Sequence, residues 1–143
     1  MKYNGFEKDI ELFAKFVFWY ESSIKNKLKK EKDFKYLLPK SQHKTIEDIK
    51  KFLVLANAGK KHNTDFFSDE SEQLHLLKGP IIVGFCYHLR NAICHNGLQL
   101  FDDKIQLIDR DVKTKNRIKG FVNYNCIIAF LKALVAIYEQ TQE

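Results

Sequence analysis

Apolar residues recur every three or four positions along most of this chain. Phe6, Ile10, Phe13, Val17, Tyr20, Ile24 and Leu28 form one stripe, which predicts a first helix from about Phe6 to Lys30. Leu12, Phe16 and Trp19 widen the stripe, so this helix should meet two neighbours, or one neighbour and a second subunit. Tyr36-Leu37-Leu38-Pro39 ends the pattern, because a residue before proline is pushed out of the α region. Ile46, Ile49, Phe52, Leu53 and Ala56 define a second helix. It opens at the capping-box-like Thr45-Ile46-Glu47-Asp48 and stops at Gly59. Lys60 to Asp69 is polar and reads as a loop. A third helix opens at Ser68-Asp69-Glu70-Ser71 and is interrupted at Gly79-Pro80. Proline suits the first turn of a helix, so a new helix is expected over about 80–96. Ile81, Ile82, Phe85, Leu89 and Ile93 form its apolar face, and Asn96-Gly97 ends it.

Beyond Gly97 the period changes. Leu98, Leu100, Ile105 and Leu107 alternate with polar residues on either side of Phe101-Asp102-Asp103-Lys104, a hairpin pattern over about 98–108. Asp109 to Lys119 is charged and loop-like. A last helix is expected from about Phe121 to Gln140, with Val122, Ile127, Ile128, Leu131, Leu134, Val135 and Tyr138 on its apolar side. Only six glycines and two prolines occur in 143 residues, which favours helices over a many-turned β fold. The expectation is an all-α fold. One helical domain, residues 1–143, would be a small bundle of four to five helices, with a short β-hairpin inserted after the motif helix.

Charge adds a class of partner. The net charge is +6, which suits a polyanion. Residues 25–51 hold ten lysines against four acids, and residues 102–119 hold six basic against four acidic side chains. A lysine run is also what a solvated helix end looks like. Lys113, Lys115, Arg117 and Lys119, followed by Tyr124, are the candidate RNA contacts, since cations beside an aromatic suit a single strand. The same cluster fits an ordinary charged loop. Three cysteines without a CxxC pattern are expected to be free thiols in a reducing, cytoplasmic setting. Acids interrupt the first apolar run, so no signal peptide is expected there. No apolar stretch approaches membrane-spanning length, so no membrane partner is expected.

The richest chemistry lies at the end of the motif helix. Arg90, Asn91 and His95 fall in its last two turns. Asn91 and His95 are four apart and share a face. Arg90 and His95 are five apart, so roughly 140° separates them around the axis. One helix cannot easily aim both at one atom, but two copies meeting across a symmetry axis can. The segment Arg90-Asn91-Ala92-Ile93-Cys94-His95 resembles the motif of the HEPN (higher eukaryotes and prokaryotes nucleotide-binding) superfamily. That motif is an arginine, a polar residue, a short spacer and a histidine. The hairpin-like stretch after it and the long closing helix extend the resemblance over most of the chain.

The resemblance implies a helical bundle that dimerises to pair two motifs. Its implied activity is metal-independent RNA cleavage of toxin or anti-phage type, leaving 2′,3′-cyclic phosphate ends. Residue chemistry agrees with the roles. Histidine can give or take a proton near neutral pH, and arginine forks onto phosphate oxygens. Asn91 would orient the imidazole or bond substrate. One departure matters. A marked subgroup carries, two residues after the histidine, a tyrosine modified by a nucleotidyltransferase antitoxin, and Gly97 stands there in this chain. A regulatory protein or antitoxin of that kind is therefore not implied, although another regulator remains open. His88, Cys94 and His95 match no zinc spacing, so no metal and no cofactor are expected. The rival reading is a non-catalytic module of the same shape that dimerises and binds RNA or protein.

Overall fold

The computed structural model describes residues 6–24, 38–57, 81–95, 97–110 and 117–140. They form α1 (Ile10–Trp19), α2 (His43–Asn57), α3 (Ile81–Cys94), β1 (Leu98–Phe101), β2 (Lys104–Arg110), β3 (Arg117–Asn123) and α4 (Tyr124–Gln140). The third helix expected near 68–79 lies outside the described residues.

The core is built around α3. Ile82, Phe85, Cys86, Leu89, Ala92 and Ile93 are all buried on it, as are His88 and Asn91. A helix buried on several sides must have neighbours on several sides, and α3 packs against α1, α2 and β2. Phenylalanine does much of the filling. Phe6, Phe13, Phe16, Phe52, Phe85 and Phe130 are fully enclosed, and burying each ring stabilises the fold by about 1.5–3 kcal/mol. Phe85 and Phe130 join α3 to α4 with ring centres 6.3 Å apart. Lys15 pairs with Glu139 across the α1–α4 contact at 3.0 Å and with Glu11 within α1 at 3.2 Å. Among the described residues, no helix is long and apolar enough to cross a membrane.

The all-α expectation is overturned. The hairpin is two-thirds of a three-stranded antiparallel sheet in the order β1-β2-β3. β3 pairs with β2 over its whole length, from Lys104 opposite Asn123 to Arg110 opposite Arg117. The segment 117–123 reads as loop and helix start because its local features point that way. It has cations at alternate positions, and a glycine in mid-strand is unfavourable by itself. Only two of its inner positions are fully described, Gly120 and Val122, and both are buried. They face Leu107 and Ile105 across the ladder. The ladder and this cover, both non-local, make the strand.

Element ends shift for identifiable reasons. α1 covers only the middle of the expected first helix. A 3₁₀ turn, Glu7–Asp9, precedes it and a π turn, Tyr20–Ile24, follows. There the Tyr20 N–H reaches the carbonyls of both Phe16 and Val17, and Ser22 Oγ donates to the Phe18 carbonyl at 2.7 Å. Residues 25–30 lie outside the described residues. α2 begins at His43, ahead of Thr45, after a 3₁₀ turn at Lys40–Gln42. The His43 ring bonds the Leu38 carbonyl at 3.1 Å. α4 begins at Tyr124 because Asn123 caps it, accepting the Cys126 N–H on Oδ1 at 3.1 Å. The Tyr124 N–H is taken by the Asp103 carbonyl at 2.9 Å, so β3 runs into α4 with no loop between them.

Candidate functional site

The last turns of α3 meet the inner face of β2. Strand alternation puts Ile105, Leu107 and then Asp109 on that face. The first two are buried apolar residues, and the third is a carboxylate whose side chain is only 10% exposed. A charge in such a place needs partners, and α3 supplies them. His88 Nδ1 lies 2.6 Å from Asp109 Oδ2, and the Asn91 amide N–H donates to the same oxygen at 3.3 Å. His88 and Asn91 are three apart on α3, so both reach one strand position.

Asn91 passes this order outward. Its Oδ1 accepts from Arg90 Nη1 at 2.8 Å. The other end of the guanidinium, Nη2, pairs with Glu21 Oε1 at 2.6 Å. The amide orientation follows from its neighbours, oxygen toward the cation and nitrogen toward the anion. The chain Glu21–Arg90–Asn91–Asp109–His88 thus ties the end of α1, the end of α3 and β2 into one network. Arg90 Nε and His88 Nε2 are buried with no hydrogen-bond partner among the described residues. Such groups are exceptions in folded proteins and cost on the order of 1–3 kcal/mol each.

His95 stands apart from the network. It is exposed in the turn that closes α3, with its backbone N–H on the Asn91 carbonyl at 2.9 Å. Of the three residues expected to act together, the structure joins Arg90 to Asn91 and leaves the His95 ring at the surface one turn on. Lys113 and Lys115 lie outside the described residues. Arg117 and Lys119 are in β3, where only their backbone is described.

Gly97, two residues after His95, is held between the end of α3 and β2. Its N–H bonds the Ala92 carbonyl at 2.7 Å, and its carbonyl accepts the Ile108 N–H at 2.8 Å. A Cβ at this position would lie 2.0 Å from the Ile108 carbonyl oxygen. No side chain fits unless β2 moves.

Sequence reasoning missed Asp109 and Glu21 and considered His88 only as a metal ligand. The Ile105-x-Leu107-x-Asp109 alternation carried a signal for the first, and the His88–Asn91 spacing one for the third. Nothing local marks Glu21, which meets Arg90 only through the packing of α1 on α3. No group of three or more His, Cys, Asp or Glu among the described residues is placed to hold a metal ion. Compared with known proteins, the chain matches no family model, no curated protein and no solved structure.

Proposed function

We propose that this chain is a metal-independent endoribonuclease of toxin or anti-phage defence type, acting in the cytoplasm as a homodimer. The observation that carries the reading is an exposed imidazole, His95, one turn beyond an arginine already held by an amide and a carboxylate. In RNA, the 2′-oxygen would attack the neighbouring phosphorus while the bond to the 5′-oxygen breaks. One His95 takes the 2′-hydroxyl proton and the partner copy's equivalent histidine protonates the leaving 5′-oxygen, leaving a 2′,3′-cyclic phosphate. Arg90, held in place by Asn91, holds the phosphate charge. The angular separation of Arg90 and His95 on one helix is the reason for two copies. Lys113, Lys115, Arg117 and Lys119 would add backbone contacts.

The ion pair between Glu21 and Arg90 favours the alternative, a non-catalytic binding module, because a carboxylate already occupies part of the guanidinium. One assay separates the two. Structured and unstructured RNAs are incubated with wild type, Arg90→Ala and His95→Ala, each with and without EDTA. Cleavage is expected to survive EDTA and to fall by roughly 10²–10⁴-fold in His95→Ala, the usual size of a proton-transfer contribution. Unchanged cleavage in His95→Ala defeats the assignment. Binding without cleavage by wild type establishes the module.

A further inference from the structure

Arg90 would hold a phosphate during cleavage, yet in the structure it holds a carboxylate. Glu21 Oε1 lies 2.6 Å from its Nη2. A guanidinium grips phosphate best with N–H groups from two adjacent nitrogens. It has two such edges, Nε with Nη2 and Nη1 with Nη2, and both run through Nη2. Nε is buried, with no hydrogen-bond partner among the described residues, and Nη1 donates to Asn91 Oδ1 at 2.8 Å. The nitrogen that any forked contact needs is therefore the one Glu21 holds. A phosphate brought to Arg90 also meets the negative charge of Glu21 at close range, where like charges repel.

The two partners of Arg90 differ in how firmly they are set. Asn91 is buried and is itself bonded to the nearly buried Asp109. The Arg90 and Glu21 side chains are 29% and 43% exposed, so water screens their attraction, and ion pairs in such places hold loosely. Glu21 also belongs to the π turn Tyr20–Ile24 and not to the regular part of α1. Turns of this kind are rare and recur at functional sites. Arg90 thus has a fixed inner partner and an exchangeable outer one.

We propose that Glu21 is a specificity-determining filter on Arg90, keeping free phosphate off the guanidinium and giving way to a phosphate delivered within an RNA strand. The proposal rests on the ribonuclease reading for its choice of RNA, and it adds the substrate class: polymer rather than small phosphates. A free phosphate has this one contact with which to displace the carboxylate. A strand also meets other cations of a chain whose net charge is +6. Once tethered there, it presents its phosphate to Arg90 at a high effective concentration.

The test uses a fluorescein-labelled RNA strand with 2′-O-methyl riboses, which cannot be cut by its own hydroxyl, and inorganic phosphate as competitor at matched ionic strength. Anisotropy titrations compare wild type, Glu21→Gln, Glu21→Ala, Glu11→Gln, Arg90→Ala and the double variant Glu21→Gln with Arg90→Ala. Glutamine keeps the shape of the side chain and removes its charge. Glu21→Ala drops the contact altogether and covers the case in which glutamine stays bonded to Nη2. Glu11→Gln removes the same charge from a carboxylate of α1 that pairs with Lys15 instead. Glu21→Gln or Glu21→Ala is expected to bind the strand roughly tenfold more tightly, the gain from releasing a pair occupied about nine-tenths of the time. Millimolar phosphate is expected to weaken strand binding by that variant more than by wild type. Unchanged or weaker strand binding in both Glu21 variants makes the carboxylate a mere holder of Arg90 and overturns the filter. An equal gain in Glu11→Gln, or an equal gain when Arg90 is already alanine, assigns the effect to net charge and overturns it too. Equal phosphate sensitivity in wild type and the tighter-binding variant does the same. Full cleavage of unmodified RNA by His95→Ala removes the cleavage reading and leaves the filter standing.

Discussion

Asp109 carries more of this site than any residue of the motif, because it is a nearly buried carboxylate with two partners on one helix. Removing a partner leaves charge without compensation, which in buried pairs costs about 3–5 kcal/mol. His88→Ala is therefore expected to lower the urea-unfolding free energy by about 3 kcal/mol. A double-mutant cycle with Asp109→Ala should show coupling above about 1 kcal/mol. Independent effects would mean that the His88–Asp109 bond does not hold the strand to α3. Gly97 is a second single-residue constraint. Gly97→Ala places a methyl group in the space of the Ile108 carbonyl, and a loss of at least about 2 kcal/mol is expected. A melting temperature within a degree of wild type would show that β2 yields freely there.

Between elements, tyrosines and a thiol act as seams. Tyr124, at the start of α4, donates its hydroxyl to the buried Asp9 just ahead of α1, and Lys8 Nζ sits 5.0 Å from its ring centre. Burial, and then the bond to Asp9, push the Tyr124 hydroxyl up to about 12. Burial pushes Tyr20 up to about 12 as well, at the end of α1, and the Cys86 thiol inside α3 to about 12. In each case the native state holds its proton longer than the unfolded chain. The stability these groups contribute is complete below their unfolded values, 9.0 for the thiol and 10.0 for the tyrosines. It is lost as pH rises toward about 12. The melting temperature is expected to fall steadily from pH 9 to pH 12, and Tyr124→Phe should flatten the upper part of that slope. A Tyr124→Phe profile parallel to wild type would remove Tyr124 as a contributor.

At the scale of the whole molecule, apolar surface and charge both point to partners. Phe18 on α1 is 61% exposed, beside Trp19 with ring centres 5.0 Å apart, and Val54 on α2 is 53% exposed. If these side chains join in one apolar patch it would suit another protein, and a two-fold dimer is the commonest way to cover such a patch. Light scattering at micromolar concentration is expected to give twice the 16.9 kDa chain mass. A monomer would remove the composite site. With a net charge of +6, RNA affinity should drop steeply between 50 and 200 mM salt, by roughly tenfold for every two phosphates neutralised. Affinity that stays flat over that range would show that the cations are not the footprint.

The sequence by itself determined much of the local order. The 3.6-residue stripes located α2, α3 and α4, and the period-2 stretch after Gly97 located β1 and most of β2. Arg90, Asn91 and His95 stood out by residue type and spacing. What the pattern could not determine was anything set by a distant neighbour. β3 exists because β2 offers it a seven-residue ladder, and its own residues 117–123 resemble a charged loop. Asp109 reads as the start of that loop, yet pairing carries β2 two residues beyond the expected hairpin and turns the carboxylate onto α3. Arg90 is held by Glu21, sixty-nine positions away in the chain, and His95 is left outside the network that holds Arg90. Periodicity records which side of an element is apolar. It does not record which element will cover that side, and here that choice made a helical pattern into a mixed fold and joined Glu21, Asp109 and His88 to the motif.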